Sequence, residues 1–134
     1  MKTVLFVCVH NSGRSQMAEA FFNRIAGGGI KAVSAGTEPA EDINPLVVQA
    51  MSELGIDISE QRPKALTLEL MEQADRAITM GCGVEETCPA SFVPTENWEL
   101  DDPEGKTLEE IRKIRDDIKA RVEDLVNSFE SLKE

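Results

Sequence analysis

Short apolar strands that alternate with amphipathic helices predict an α/β fold, a parallel sheet covered by helices on both faces. Three features carry that prediction. The chain opens on the apolar run Thr3-Val4-Leu5-Phe6-Val7, which reads as a buried strand. A helical apolar face follows directly, and strand-like runs then return after glycine and helix-stop signals. No repeat, low-complexity tract or linker interrupts the 134 residues, so 1–134 reads as one domain, long enough to bury a core.

Taken in order, the first strand is predicted over 2–8. A helix follows over 14–26, with Met17, Ala18, Phe21, Phe22 and Ile25 on one face. Gly27-Gly28-Gly29 stops it; a glycine run there is a turn, not a phosphate loop. Lys31–Ala35 is a second strand closing on Gly36. Asn44 before Pro45 reads as an N-cap with proline at the first helical position, opening a helix to about Leu54 that Gly55 ends. Thr67 caps another helix through Ala74, Arg76–Met80 is a third strand, and a fourth short strand is predicted near Asn97–Leu100. The last helix is predicted from Thr107 to Leu132. Leu108, Ile111, Ile114, Ile118, Val122, Leu125 and Phe129 recur at helical spacing, and the charged remainder is expected to be a solvated face. Trp98 is expected in the core or a site wall.

Fourteen basic residues against twenty-five acidic ones give a formal charge of −11. That balance argues against nucleic acid and anionic membranes as partners. An anion site remains compatible with it, because salt screens charges beyond about 8 Å at physiological ionic strength. The opening Met1–Val9 stretch is too short to cross a membrane, and no small-residue cleavage site follows, so a cytoplasmic protein is expected. Three cysteines do not make a secreted disulfide framework; in a reducing compartment they point to chemistry. No metal site is expected, since Cys82 and Cys88 are too far apart for a short zinc knuckle and the single histidine is His10.

Cys8 and Arg14, with five residues between them, flank the point where the first strand gives way to the first helix. Five residues let the backbone curl round one tetrahedral oxyanion, with N–H groups turned inward as a nest at a helix N-terminus. The candidate oxyanion-binding residues are therefore Val9, His10, Asn11, Ser12, Gly13, Arg14 and Ser15. The positive field of such a nest favours a thiolate, which makes Cys8 the candidate nucleophile beneath the anion. Arg14 supplies a planar fork matched to two oxygens. His10 reads as a loop residue that contributes its backbone N–H. The strand's C-terminal end is also where open α/β sheets bind ligands.

Two further signals lie downstream. In Asp101-Asp102-Pro103, a carboxylic acid could protonate the oxygen that a thiolate displaces. The proline holds the residue before it extended, which favours Asp102 over Asp101. In Met80-Gly81-Cys82-Gly83-Val84-Glu85-Glu86-Thr87-Cys88-Pro89, two thiols follow a predicted strand, and glycines flank the first. A phosphatase has no use for them. A reductase does, because removing an oxygen from a pentavalent oxyanion takes two electrons, which two thiols supply on becoming a disulfide.

Val7-Cys8-Val9-His10-Asn11-Ser12-Gly13-Arg14-Ser15-Gln16-Met17-Ala18-Glu19-Ala20, Ser34-Ala35-Gly36, Gly55-Ile56-Asp57-Ile58-Ser59 and Trp98-Glu99-Leu100-Asp101-Asp102-Pro103 resemble arsenate reductases built on the low-molecular-weight tyrosine phosphatase fold. The resemblance covers essentially the whole chain. It implies a four-stranded parallel sheet with helices on both faces and arsenate as substrate, with phosphate or sulfate able to occupy the loop. It also implies that Cys8 attacks arsenic while Asp102 protonates the departing hydroxide. Cys82 then attacks Cys8, and Cys88 attacks Cys82, leaving a disulfide for thioredoxin to reduce. Asn11 would brace the loop and Ser15 would hydrogen-bond Cys8. No cofactor is implied.

Two departures from the family pattern stand out. Thioredoxin-coupled members usually carry one residue more than the five between Cys82 and Cys88; related forms with a shortened loop use a small thiol, the alternative reductant here. Some members bind potassium, and Asn11, Glu19 and Ser34 match three ligand positions, but Lys64 lies where a carboxylate is expected nearby. The runner-up activity is that of a low-molecular-weight protein tyrosine phosphatase, since loop and acid serve both reactions. Glu104 stands where such phosphatases have an aromatic, and the chain has no tyrosine. A catalytically silent anion-binding module would have lost Cys8 or Arg14, and both are present.

Overall fold

The computed structural model of the protein describes residues 2–26, 29–80, 95–98, 100, 103 and 105–132. Gly27, Gly28, Cys82, Cys88, Asp101, Asp102 and Glu104 lie outside them. The apolar opening run forms β1 (Lys2–Cys8), and the remaining strands are laid beside it. On one side it pairs in parallel with β2 (Ile30–Gly36), in register from Lys2 with Ile30 to Cys8 with Gly36. On the other it pairs with β3 (Arg76–Thr79), which in turn pairs with β4 (Thr95–Asn97). The sheet is four-stranded and parallel, in the order β2-β1-β3-β4.

A central strand buried on both faces reads as a continuous apolar run. Accordingly Val4, Leu5, Phe6 and Val7 expose no surface. Alternation along β1 sends Phe6 and Cys8 to one face, against α1 (Arg14–Ile25), α2 (Pro45–Ser52) and α4 (Leu108–Leu132). Leu5 and Val7 face the other side, covered by Leu66 and by Leu70 and Met71 of the short α3 (Leu68–Gln73). Helices therefore cover both faces, with the deeper core on the α1–α4 side. Phe22 links the layers of that core. Its ring lies edge-on to Phe6 at 6.0 Å and to Phe129 at 6.2 Å, an arrangement the ring quadrupoles favour.

The helices begin where their caps predict. Asn44 Oδ1 accepts from Leu46 N at 2.9 Å with Pro45 at the first helical position, and Thr67 Oγ1 accepts from Leu70 N at 3.1 Å. Thr107 and Glu110 form a reciprocal capping box before α4.

Four expectations need correction. The fourth strand occupies Thr95–Asn97, not 97–100. Trp98 continues the pairing through its N–H to the Thr79 carbonyl, but its ring turns into the core against Phe6. The second helix ends at Ser52 rather than Leu54, because Glu53–Gly55 form a turn with Gly55 at φ 78° and Leu54 is 39% exposed. Ile25, expected on the buried face of the first helix, is 38% exposed in the last residue of α1. Finally, the charged face of α4 is not wholly solvated. Arg115 is buried, bonding the Ala50 carbonyl and Glu53 Oε1, both at 2.9 Å, so it ties α4 to the C-terminal end of α2.

Candidate active site

The loop between β1 and α1 is turned inside out by its neighbours. The carbonyls of Cys8, Val9, His10 and Ser12 accept hydrogen bonds from the N–H groups of Thr37, Glu38, Ala40 and Asn44, at 2.8–3.1 Å. The Gly13 carbonyl accepts from Met17 N. In a trans peptide the following N–H points opposite to the carbonyl, so the N–H groups of Val9, His10, Asn11, Gly13 and Arg14 face the concave side. One of them is directly visible in that role, since Asn11 N donates to Cys8 Sγ at 3.2 Å. Closure requires Asn11 in the left-handed region at φ 52°, a conformation asparagine tolerates better than most residues. Gly36 lies against the outside of the loop. A Cβ there would sit 2.7 Å from the Val9 carbonyl oxygen and 3.0 Å from Asn11 N.

Cys8 is buried at the base of this loop, at the C-terminal end of β1. Ser15 Oγ lies 2.8 Å from its sulfur. That hydroxyl accepts from Asn11 Nδ2 at 2.7 Å, leaving its own hydrogen for the sulfur. Asn11 is itself held through Oδ1, which accepts from Gln16 Nε2 at 3.0 Å and Lys64 N at 2.8 Å.

Cys8, His10, Ser12, Gly13 and Arg14 line a small cavity whose walls are completed by Asn44 and Pro103. Arg14, in the first turn of α1, is buried, and its Nη1 donates to the Leu100 carbonyl at 3.3 Å. Leu100 directly precedes the Asp101-Asp102-Pro103 segment in sequence. The His10 ring meets the segment after β2, with Nδ1 3.0 Å from the Glu38 carbonyl oxygen. The structure thus brings together the loop residues 8–15; Cys82, Cys88 and Asp102 lie outside the described residues.

Asn11, Glu19 and Ser34 were matched to potassium ligands by resemblance, and these residues do not fit such an ion. Both lone pairs of Asn11 Oδ1 are taken by Gln16 and Lys64. The Lys64 ammonium stands 3.9 Å from Glu19 Oε1, supplying a cation from the chain itself. Ser34 lies beside Glu19, near enough for its buried hydroxyl to favour the carboxylate though outside hydrogen-bond geometry. Burial pushes the Glu19 carboxyl up from its usual value, and Lys64 and then Ser34 oppose the shift. Among the described residues no cluster of three His, Cys, Asp or Glu side chains could hold a metal.

Two residues beside the loop have no role assigned from the sequence, Gln16, which lies within the resembling stretch, and Gln61. Gln16 is fully buried directly after Ser15, a polar residue on the inward side of a helix start. Gln61 lies in an irregular segment with no periodic pattern.

Fold and site together define an α/β domain with an oxyanion-type Cys-x5-Arg loop at the C-terminal edge of its parallel sheet. The chain belongs to the low molecular weight phosphotyrosine protein phosphatase family, whose model matches residues 3–134. Within that family it is similar to an arsenate reductase of Brevibacillus brevis, 38% identical over 131 residues, covering 96% of this chain and 97% of the relative. A thioredoxin-dependent arsenate reductase of Corynebacterium glutamicum superposes with a TM-score of 0.84 at 40% identity; the match covers all of this chain and 64% of that one. A structure of an arsenate reductase in its phosphate-binding state superposes with a TM-score of 0.84 at 39% identity, covering 96% of this chain and 98% of the other.

Proposed function

We propose that this protein reduces arsenate to arsenite through a relay of its three cysteines. The observation that carries the reading is the preformed loop. Its amides converge above Cys8, whose sulfur receives a backbone N–H and lies against the Ser15 hydroxyl. Preorganised donors of this kind stabilise charge as it develops, without reorganisation at the moment of reaction.

Cys8 thiolate attacks arsenic while the loop amides and Arg14 hold the other oxygens. One As–O bond breaks, and Asp102 gives its proton so that the oxygen leaves as water. Cys82 thiolate then attacks the Cys8 sulfur. The S–As bond breaks and its electron pair stays on arsenic, which departs as trivalent arsenite and leaves a Cys8–Cys82 disulfide. Cys88 attacks Cys82, releasing Cys8, and an external reductant returns the Cys82–Cys88 disulfide to two thiols. Net, two thiols supply the two electrons arsenic accepts.

Chain connectivity supports the roles of the residues beyond the loop. Met80 N donates to the Val7 carbonyl at 2.7 Å, next to Cys8. Cys82 follows two residues later in the sequence. Asp102 directly precedes Pro103, which is buried and lines the cavity. The proposed reductant is thioredoxin, with a small thiol as the alternative. The test measures arsenite produced by the purified protein with thioredoxin, thioredoxin reductase and NADPH, and separately with glutathione and glutaredoxin. Arsenite from the wild type and none from Cys8→Ser supports the reading. Aryl phosphate hydrolysis with no arsenite in either system would assign the loop to phosphatase chemistry instead.

A further inference from the structure

We infer that Gln16 and Gln61 are positioning residues, forming a buried amide ladder that directs the Ser15 hydroxyl to donate its hydrogen to Cys8. The inference rests on the reading of Cys8 as nucleophile. Starting far from the sulfur, Gln61 Nε2 donates to Glu19 Oε2 at 3.0 Å and to Gln16 Oε1 at 2.5 Å. Gln16 thus presents its own amide nitrogen on the other side, donating to Asn11 Oδ1 at 3.0 Å and to the Arg62 carbonyl at 3.1 Å. Asn11 in turn presents its nitrogen to Ser15.

A primary amide can be reversed by rotating half a turn, exchanging its donor and acceptor ends. Here three groups that cannot reverse all dictate one direction. The Glu19 carboxylate only accepts, so Gln61 must offer it nitrogen. The Arg62 carbonyl only accepts, so Gln16 must offer it nitrogen. The Lys64 backbone N–H only donates, at 2.8 Å, so Asn11 must offer it oxygen. With every amide set, the Ser15 oxygen receives a hydrogen from Asn11 and has one of its own to give. Among the described residues, Cys8 Sγ, 2.8 Å away, stands ready to take it. A donor aimed at sulfur favours the thiolate, the form that attacks. A buried network satisfied at every position is also the kind that fixes a single arrangement.

The test uses the full chain with Cys82→Ser and Cys88→Ser, so that Cys8 is the only thiol, and follows iodoacetamide alkylation across pH. Gln16→Met keeps the side chain's length and removes its bonding; Gln61→Met breaks the ladder one step further out, and Ser15→Ala removes the final donor. Arg14 and His10, the charged and titratable groups lining the same cavity among the described residues, are unchanged in all three. Ser15→Ala is expected to slow alkylation near neutral pH about tenfold, the worth of one hydrogen bond to a charged group. Both methionine variants are expected to move the profile in the same direction, Gln61→Met by less, because the Arg62 carbonyl and the Lys64 N–H still orient Gln16 and Asn11. Added to Ser15→Ala, Gln16→Met should have little further effect, because both act through one bond. Methionine variants that fold, by thermal unfolding, yet alkylate on the parent profile would overturn the ladder, as would full additivity with Ser15→Ala. Should Gln16→Met not fold, Gln61→Met decides by the same criteria. If the parent itself alkylates like an unactivated thiol, the nucleophile reading fails instead, a result distinct from either. Arsenate takes no part in the assay, so its outcome is independent of the proposed substrate.

Discussion

Gly36→Ala should damage the active loop more than it damages the fold. A methyl group at this position would lie 2.7 Å from the Val9 carbonyl oxygen and 3.0 Å from both Asn11 N and Asn11 Cβ, where ordinary contact begins near 3.4 Å. Gly36 cannot retreat, because its N–H donates to the Lys64 carbonyl at 2.7 Å and its carbonyl accepts from Leu66 N at 2.9 Å. The loop must therefore give way by several tenths of an ångström, at a typical overpacking cost of about 1–3 kcal/mol. The same displacement moves the amides that surround the substrate. Misplacement of about 1 Å can cost on the order of 10²-fold in rate, so a fall of about tenfold or more in kcat/KM is expected. Urea unfolding gives the stability change, and repeating it with phosphate reports the loop, since an anion that binds only the folded state raises the midpoint. Gly55→Ala is the control. Gly55 has φ 78° with open space around it, so alanine there should cost about 1 kcal/mol of backbone strain and leave the phosphate effect intact. A Gly36→Ala protein with the parent's midpoint, phosphate stabilisation and turnover would refute the steric reasoning.

Arg14→Lys should lose most arsenate turnover, because a point charge cannot reproduce a planar fork; steady-state kinetics near wild type would remove Arg14 from anion binding. Asp102→Asn should slow the chemical step by roughly 10²–10⁴-fold if it is the general acid, and Asp101→Asn far less; single-turnover rates in the reverse order would contradict the pre-proline argument. Glu53→Gln should flatten the acid limb of stability. Arg112, bonded to Glu53 at 2.6 Å, holds its carboxyl below the usual range, with Arg115 adding to the effect. A lowered folded-state value means stability present above the ordinary carboxylate pKa and lost as pH falls through the lowered one. Wild type should therefore melt higher than Glu53→Gln at pH 7, by a small margin for so exposed a group, with the gap closing toward pH 3. A gap independent of pH would place the effect elsewhere.

The part of this fold that could be read in advance is the part governed by local rules. β1 is a continuous apolar run because it lies between two strands, and Asn44 and Thr67 are capping signals that act within one turn. The Cys8–Arg14 spacing was legible for the same reason, since a loop of that length at a strand–helix junction has few ways to fold. What escaped notice depends on distant partners. Thr95-Glu96-Asn97 has no apolar pattern, and it is a strand because the exposed side of β3 needs one. Arg115 looks like any surface arginine until the end of α2 arrives beside it with an unpaired carbonyl and Glu53. Gln16 and Gln61 lie 45 residues apart, and each acquires meaning only when the other's amide is in place.

The cysteine relay is tested most directly by trapping its first product. Cys88→Ser protein, fully reduced and mixed with excess arsenate without external reductant, should release one equivalent of arsenite per chain and stop. Mass spectrometry should then find the protein lighter by two hydrogens, with the peptides containing Cys8 and Cys82 joined by a disulfide. Sustained turnover supplied with thioredoxin by a Cys82→Ser/Cys88→Ser protein, or a single turnover that leaves Cys8 and Cys82 as free thiols, would contradict the account.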